Sequence, residues 1–194
     1  MFPSRAAVLG LLVPLTLLAA CQQPPPTPAP APSFRCTPEA GGDEYDCSQA
    51  QHDEMVSKDT LYAEAEAVFR KFFAENIRIS RAGGLREATP VLLETATGFF
   101  LEDVLNQYRK QADEGSRAQG SDPVIKAISR LPGHSKSGSL IALSTCVDAS
   151  GWSFFIGKEF RSKGVPARDE IYFSHSDGLL RMIGADGEEV DSCT

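Results

Sequence analysis

The chain has 194 residues, 42% hydrophobic and 23% charged, with a formal net charge of −7 at pH 7. That length and composition are those of an ordinary globular protein with room for one sizeable core and not for a second. Acidity without a Lys/Arg cluster excludes phosphate-backbone binding as a main task, so no nucleic acid is expected as a partner, and it offers no electrostatic hold on anionic lipid.

Residues 1–20 open with Met-Phe-Pro-Ser-Arg and continue as an apolar stretch from Ala6 to Ala20. One basic residue followed by about 15 mostly apolar ones is the plan of a signal peptide, and the run, broken by Pro14, falls short of the roughly 20 residues that span a bilayer. It ends Leu18-Ala19-Ala20-Cys21. These four residues resemble the bacterial lipobox. The resemblance implies cleavage before Cys21, a diacylglycerol on its sulfur, and a mature protein held to the membrane by N-terminal acyl chains such as palmitate. More than one chain is required, because a single chain at about 0.8 kcal/mol per buried CH₂ binds only marginally. Loss of the leader removes Arg5 and leaves a net charge of −8. Gln22 follows the cysteine. By resemblance to known sorting rules this implies the outer membrane where an organism has two, and otherwise the outer face of the cell membrane. Ordinary secretory cleavage after Ala20, or a short signal anchor, is the alternative.

Residues 21–33 carry the expected lipidation cysteine and a Pro-rich run, Gln-Gln-Pro-Pro-Pro-Thr-Pro-Ala-Pro-Ala-Pro-Ser, that cannot bury a core. Proline holds such a run near polyproline II, and at about 3.1 Å per residue it spans roughly 35–40 Å as a tether. Residues 34–58 read as an N-terminal extension looped by a disulfide. Cys36, Cys47, Cys146 and Cys193 allow three pairings in an exported chain. The pairs expected are Cys36–Cys47, around a short Gly- and acid-rich loop, and Cys146–Cys193, tying the C-terminus to a strand. There is no Cys-x-x-Cys and no His at zinc spacing, so no metal and no cofactor are expected.

Residues 59–194 read as an α+β domain. Asp59 or Thr60 caps a helix whose stripe is Leu61, Ala65, Val68, Phe69, Phe72, Phe73 and Ile77, ended by Gly83-Gly84. Thr89-Pro90 starts a short helix to about Ala96. A third runs from about Phe99 to Glu114 on the stripe Leu101, Val104, Leu105, Tyr108 and Ala112, stopped by Gly115. Strands follow over 122–131 and 140–147, then a hairpin of 170–175 and 179–183 around Ser176-Asp177-Gly178. Gly151 to Ile156 reads as strand or edge, residues 157–168 as a basic exposed loop, and a second Asp-Gly at 186–187 as a turn before a possible short last strand.

Three helices followed by four or more antiparallel strands place the helices on one face of a curved sheet. This order, with the junction Leu92-Leu93-Glu94-Thr95-Ala96-Thr97-Gly98 and the strand end Cys146-Val147-Asp148, resembles the cystatin-like cone of nuclear transport factor 2 and the ketosteroid-isomerase-like proteins. It is similar in particular to actinobacterial lipoproteins that carry such a domain. The resemblance covers roughly residues 60–193 and implies a cone that hosts enzymes and inert binding modules alike, so fold alone carries no function.

Gly133-His-Ser-Lys-Ser-Gly-Ser139 lacks the Lys that a phosphate loop places after its second Gly. A calcium role for the acids from Asp186 lacks the ligand series of an EF-hand. His52 and His134 fall in polar segments and read as solvated or loop residues; His175 reads as a half-buried or turn-capping residue before it reads as a base or ligand contact. In the isomerase-like cone, an acid stands near a carbon acid and a neutral donor near the developing oxyanion. The donor candidates here are Tyr62, Tyr108 and Tyr172, and the acids are Glu170 and Asp103. Asp103 and Tyr108 lie on different faces of one helix, and a strand pair such as Glu170 and Tyr172 looks like any exposed face. Trp152 reads as a core plug or a ligand contact. The expectation is therefore a non-catalytic, lipid-anchored, extracytoplasmic module of the bacterial cell envelope. It binds either a small apolar ligand, with Tyr108, Trp152, Tyr172 and His175 as candidate contacts, or an envelope protein as an accessory lipoprotein. An isomerase-like enzyme is the other class.

Overall fold

The computed structural model describes residues 33–193. The leader, Cys21 and the tether up to residue 32 lie outside the described residues. Ser33–Thr194 form one compact unit that contains the core and both disulfides, and so has what it needs to fold by itself.

The order of elements is β1 (Phe34–Cys36), β2 (Tyr45–Cys47), α1 (Gln49–Ala82), α2 (Pro90–Thr95), α3 (Gly98–Glu114), then β3 (Ser116–Gly120), β4 (Val124–Arg130), β5 (Ile141–Asp148), β6 (Trp152–Ile156), β7 (Glu159–Lys163), β8 (Pro166–Ser176) and β9 (Leu179–Glu189). The class is α+β, with helices packed on antiparallel sheet. Both expected disulfides are present, Cys36–Cys47 and Cys146–Cys193.

The first helix corrects its expected start. It begins at Gln49, not at Asp59 or Thr60, and so runs across the boundary drawn at residue 58. The operative signal is a capping box: the Ser48 hydroxyl accepts from the Gln51 amide, and the Gln51 side chain accepts from the Ser48 amide. The first turns have no apolar stripe because most of their residues stay exposed, and only one side of them meets the small β1–β2 hairpin. There Lys58 binds Glu39 at 2.8 Å, Thr37 N–H meets Met55 Sδ at 3.1 Å, and His52 rests on Phe34 with centroids 5.3 Å apart rather than standing in solvent. Thr60, expected to cap the helix, instead donates back to the Val56 carbonyl. α2 starts as expected, with the Thr89 hydroxyl accepting from Leu92 N–H and Pro90 in the first helical position.

The strands form two larger sheets, β3-β6-β7 and β4-β5-β8-β9, besides the β1–β2 pair. Their orders correspond. The chain passes from β3 to β4 through residues 121–123, from β5 to β6 through 149–151, and from β7 to β8 through 164–165. Each partner in one sheet thus continues into the matching partner in the other, so the long β5–β8 ladder, closing at Asp148↔Pro166, is prolonged by the β6–β7 hairpin beyond a break. Three expectations change here. Ser116–Gly120 is a strand paired with β6. Residues 157–168 are no loop, since β7 occupies 159–163 and β8 already begins at Pro166. The Asp186-Gly187 pair lies inside β9 and makes no turn. Gly187 faces Asp169 across the ladder, and a Cβ on it would lie 2.2 Å from Asp169 Oδ1, so the glycine is there for close approach. The other Asp-Gly does make the expected two-residue turn, with Asp177 and Gly178 both at positive φ, 52° and 78°.

The core has two parts. Tyr62, Ala65 and Phe69 of α1 pack on Ile141, Leu143, Ile171, Phe173, Leu180 and Met182 of the four-stranded sheet. Ile79, Leu92, Val104, Leu105 and Tyr108 join the three helices.

Candidate functional site

Where the two core parts meet, they leave a cavity of about 300 Å³, at the lower end of the roughly 300–1,000 Å³ typical of small-molecule sites. Helix spacing supplies one wall. Phe69, Phe72, Phe73 and Asn76 recur at three- and four-residue intervals on α1, and Phe100, Val104, Gln107 and Tyr108 do so on α3. Strand alternation supplies the other, from Val147 on β5, Ala167, Asp169 and Ile171 on β8, and Met182 and Ala185 on β9. Phe72 and Phe100 meet across the helices with centroids 5.7 Å apart, and Phe69 and Phe73 lie 5.9 Å apart. Gln107, Val165 and Ala185 are the exposed members of the lining, so the cavity opens on their side.

Four lining residues are polar. The Tyr108 hydroxyl donates to Asn76 Oδ1 at 2.8 Å, and burial, with Glu75 nearby, pushes its phenol above the ordinary value, so it is a neutral donor at pH 7. Gln107 stands at the opening. Asp169 is half-buried, and desolvation pushes its carboxyl up from the ordinary Asp value.

Of the four residues expected to touch a ligand, only Tyr108 lines this cavity. Trp152 is buried in β6, edge-on to Phe154 at 5.6 Å, which is the core-plug role. Tyr172 lies on the opposite face of the sheet. Its neighbours in sequence, Ile171 and Phe173, face α1, so Tyr172 and Glu170 face away. On that face the Tyr172 hydroxyl donates to Glu170 Oε2 at 2.7 Å and is pushed up to about 12, chiefly by this bond. His134 Nδ1 stands 3.5 Å from the same carboxylate, and Lys136 lies over the Tyr172 ring and binds Asp186. His175 is exposed at the end of β8. The four candidates do not converge. Nor do the other acid–phenol candidates enter the cavity: Tyr62 donates to Glu39 at 2.7 Å, and Asp103 is exposed on α3.

Sequence reasoning missed Asp169. The reading left it between the loop of 157–168 and the strand of 170–175, and only once β8 is extended to Pro166 does the alternation Asp169, Ile171, Phe173 put it on the inner face. Among the described residues, no group of three His, Cys, Asp or Glu side chains is placed to hold a metal ion, and no helix is long and apolar enough to cross a membrane.

No family model matches the chain, and no curated protein matches it. Among solved structures it is similar to the intermembrane space region of chloroplast protein ARC6, at 15% identity and a TM-score of 0.41, over 65% of this chain and 95% of that one. A likeness of that size carries no argument about function.

Proposed function

We propose that this chain is a lipid-anchored, extracytoplasmic binding module of the bacterial cell envelope. In this reading its helices and bent sheet are a cystatin-like cone, and the cavity between them takes a small, mainly apolar ligand. The observation that carries the reading is the cavity's lining: four phenylalanines, Val104, Ile171 and Met182 enclose it, with a few polar groups set among them, which is the usual make-up of a small-molecule site. The anchor at Cys21 rests on the lipobox resemblance, and it would hold the module against the membrane from which an apolar ligand would come.

The test is a thermal-shift screen of lipids, sterol-like molecules and cell-wall fragments on residues 33–194 with both disulfides formed. A ligand present at about 100 times its Kd adds about 2.7 kcal/mol, a rise of a few degrees in a domain this size. A specific rise that Phe72→Ala or Val104→Ala abolishes supports the pocket. A flat screen rejects it. Incorporation of radiolabelled palmitate by the wild type and not by Cys21→Ala tests the anchor separately.

One observation favours a second reading, an isomerase-like enzyme: Asp169 and Tyr108 line one cavity. A raised carboxyl pKa suits a general base, and a neutral phenol suits an oxyanion donor. The Tyr108 proton is already given to Asn76, so that bond must be exchanged or shared in such a reaction. Exchange of ketone α-hydrogens for deuterium, followed by NMR and abolished by Asp169→Asn, would establish this reading; its absence leaves the binding module.

A further inference from the structure

We propose that the ligand of this cavity is an apolar molecule carrying one cationic nitrogen, which the Asp169 carboxylate receives. The inference rests on the pocket reading above and adds the ligand's charge.

Other buried or half-buried carboxylates among the described residues are matched. Glu75 accepts from Arg78 and Thr89, and Glu39 from Lys58 and Tyr62. Asp169 is different: it has no hydrogen bond or ion pair among the described residues, and loss of water is all that perturbs it, with no Lys or Arg contributing. Its setting adds a second unmatched group. Thr145 on β5 is its direct cross-strand partner, so the two side chains stand on the same face. Thr145 is 1% exposed, and its hydroxyl has no hydrogen-bond partner among the described residues. On the other side Gly187 leaves the space that the carboxylate fills. An acceptor and a hydroxyl therefore lie side by side on the inner sheet face, one of them in the wall of a cavity otherwise faced by phenylalanine rings.

Leaving such groups unpaired is costly, more so for a charge than for a neutral group. A ligand that fills the cavity and is neutral or anionic would strip the remaining water from the carboxylate without replacing it. An anion would also meet the field of a chain with net charge −7. A cationic nitrogen satisfies the carboxylate through a charge-assisted bond, and the faces of Phe69, Phe72, Phe73 and Phe100 attract a cation in their own right. The cavity's volume of about 300 Å³ sets the scale of the body that accompanies it.

The experiment titrates residues 33–194, disulfides formed, by calorimetry with a matched set: 4-phenylbutylamine, 4-phenylbutan-1-ol and 4-phenylbutyrate. The amine binds about tenfold or more tightly than the alcohol, and the carboxylate binds weakest. Asp169→Asn, nearly isosteric, removes that advantage of the amine over the alcohol. Equal binding of amine and alcohol, or an amine preference that survives Asp169→Asn, overturns the charge inference and leaves the pocket standing. Binding of none of the three overturns both. Should the variant fail to fold, the ranking of the three compounds on the wild type decides.

Discussion

Glu75 shows how one side chain ties elements together. It is 7% exposed on α1, takes two bonds from Arg78, and takes a third from Thr89, the residue that caps α2. The Arg78 bonds, and then Thr89, hold its carboxyl below the ordinary Glu value of 4.5. A depressed folded-state pKa means a contribution that is complete above the unfolded value and is lost as the pH falls through the folded one. Glu75→Gln should therefore cost about 1–3 kcal/mol at pH 7, and the gap to wild type should close as the pH is lowered below 4.5. Urea unfolding at a series of pH values checks this; a gap as wide at pH 3 as at pH 7 would contradict it. Residue identity was legible here but the bond was not: Glu75, Arg78 and Thr89 can be read in the chain, yet nothing local says that α2 starts beside this turn of α1. Asp169 and Glu170 make the same point more sharply. They are adjacent acids, and strand parity alone sends one into the cavity and the other to the opposite face.

At the level of elements, what the chain announces best is what forms within a few residues. The Thr89-Pro90 start, the Gly115 stop and the Asp177-Gly178 turn all stand where local chemistry puts them. The misses share a cause. β7 is exposed at all five residues, so it has no alternating pattern, and it becomes a strand because β6 pairs with it. The first turns of α1 are polar because most of their residues stay exposed, with only His52, Met55, Lys58 and Asp59 half-buried. The disulfides act at this scale too. In the chain-entropy model the shorter Cys36–Cys47 loop contributes about 3 kcal/mol and the longer Cys146–Cys193 loop about 4 kcal/mol. Replacing each pair by alanines should lower stability in that order by urea unfolding. Loss of the first pair should also speed amide exchange over residues 34–58, and loss of the second should not.

Across the whole molecule, stability is unevenly placed. The β4-β5-β8-β9 sheet carries the core against α1, whereas β3-β6-β7 holds few buried side chains, Ala118 and Trp152 chief among them. Native-state hydrogen exchange should follow this division, with β5 and β8 among the slowest amides and β6–β7 opening first. Uniform protection across both sheets would show that they unfold as a unit. The cavity opens beside Val165, at the junction of β7 and β8. A ligand that slowed exchange at that junction would link the pocket to the softer part of the fold.

The sequence by itself determined the class, helices followed by antiparallel strands, along with the Thr89-Pro90 start, the Gly115 stop, the hairpin turn and a favoured cysteine pairing. These depend on backbone preference, side-chain periodicity and loop length, all local quantities. Tertiary structure alone decided which faces meet. It extended β8 back to Pro166, turned Asp169 inward and Tyr172 outward, separated Trp152 and His175 from Tyr108, and enclosed a cavity among phenylalanines that had read only as helix stripe. Those outcomes follow from strand pairing and helix–sheet packing between residues far apart in the chain, and a one-residue change of parity reverses them.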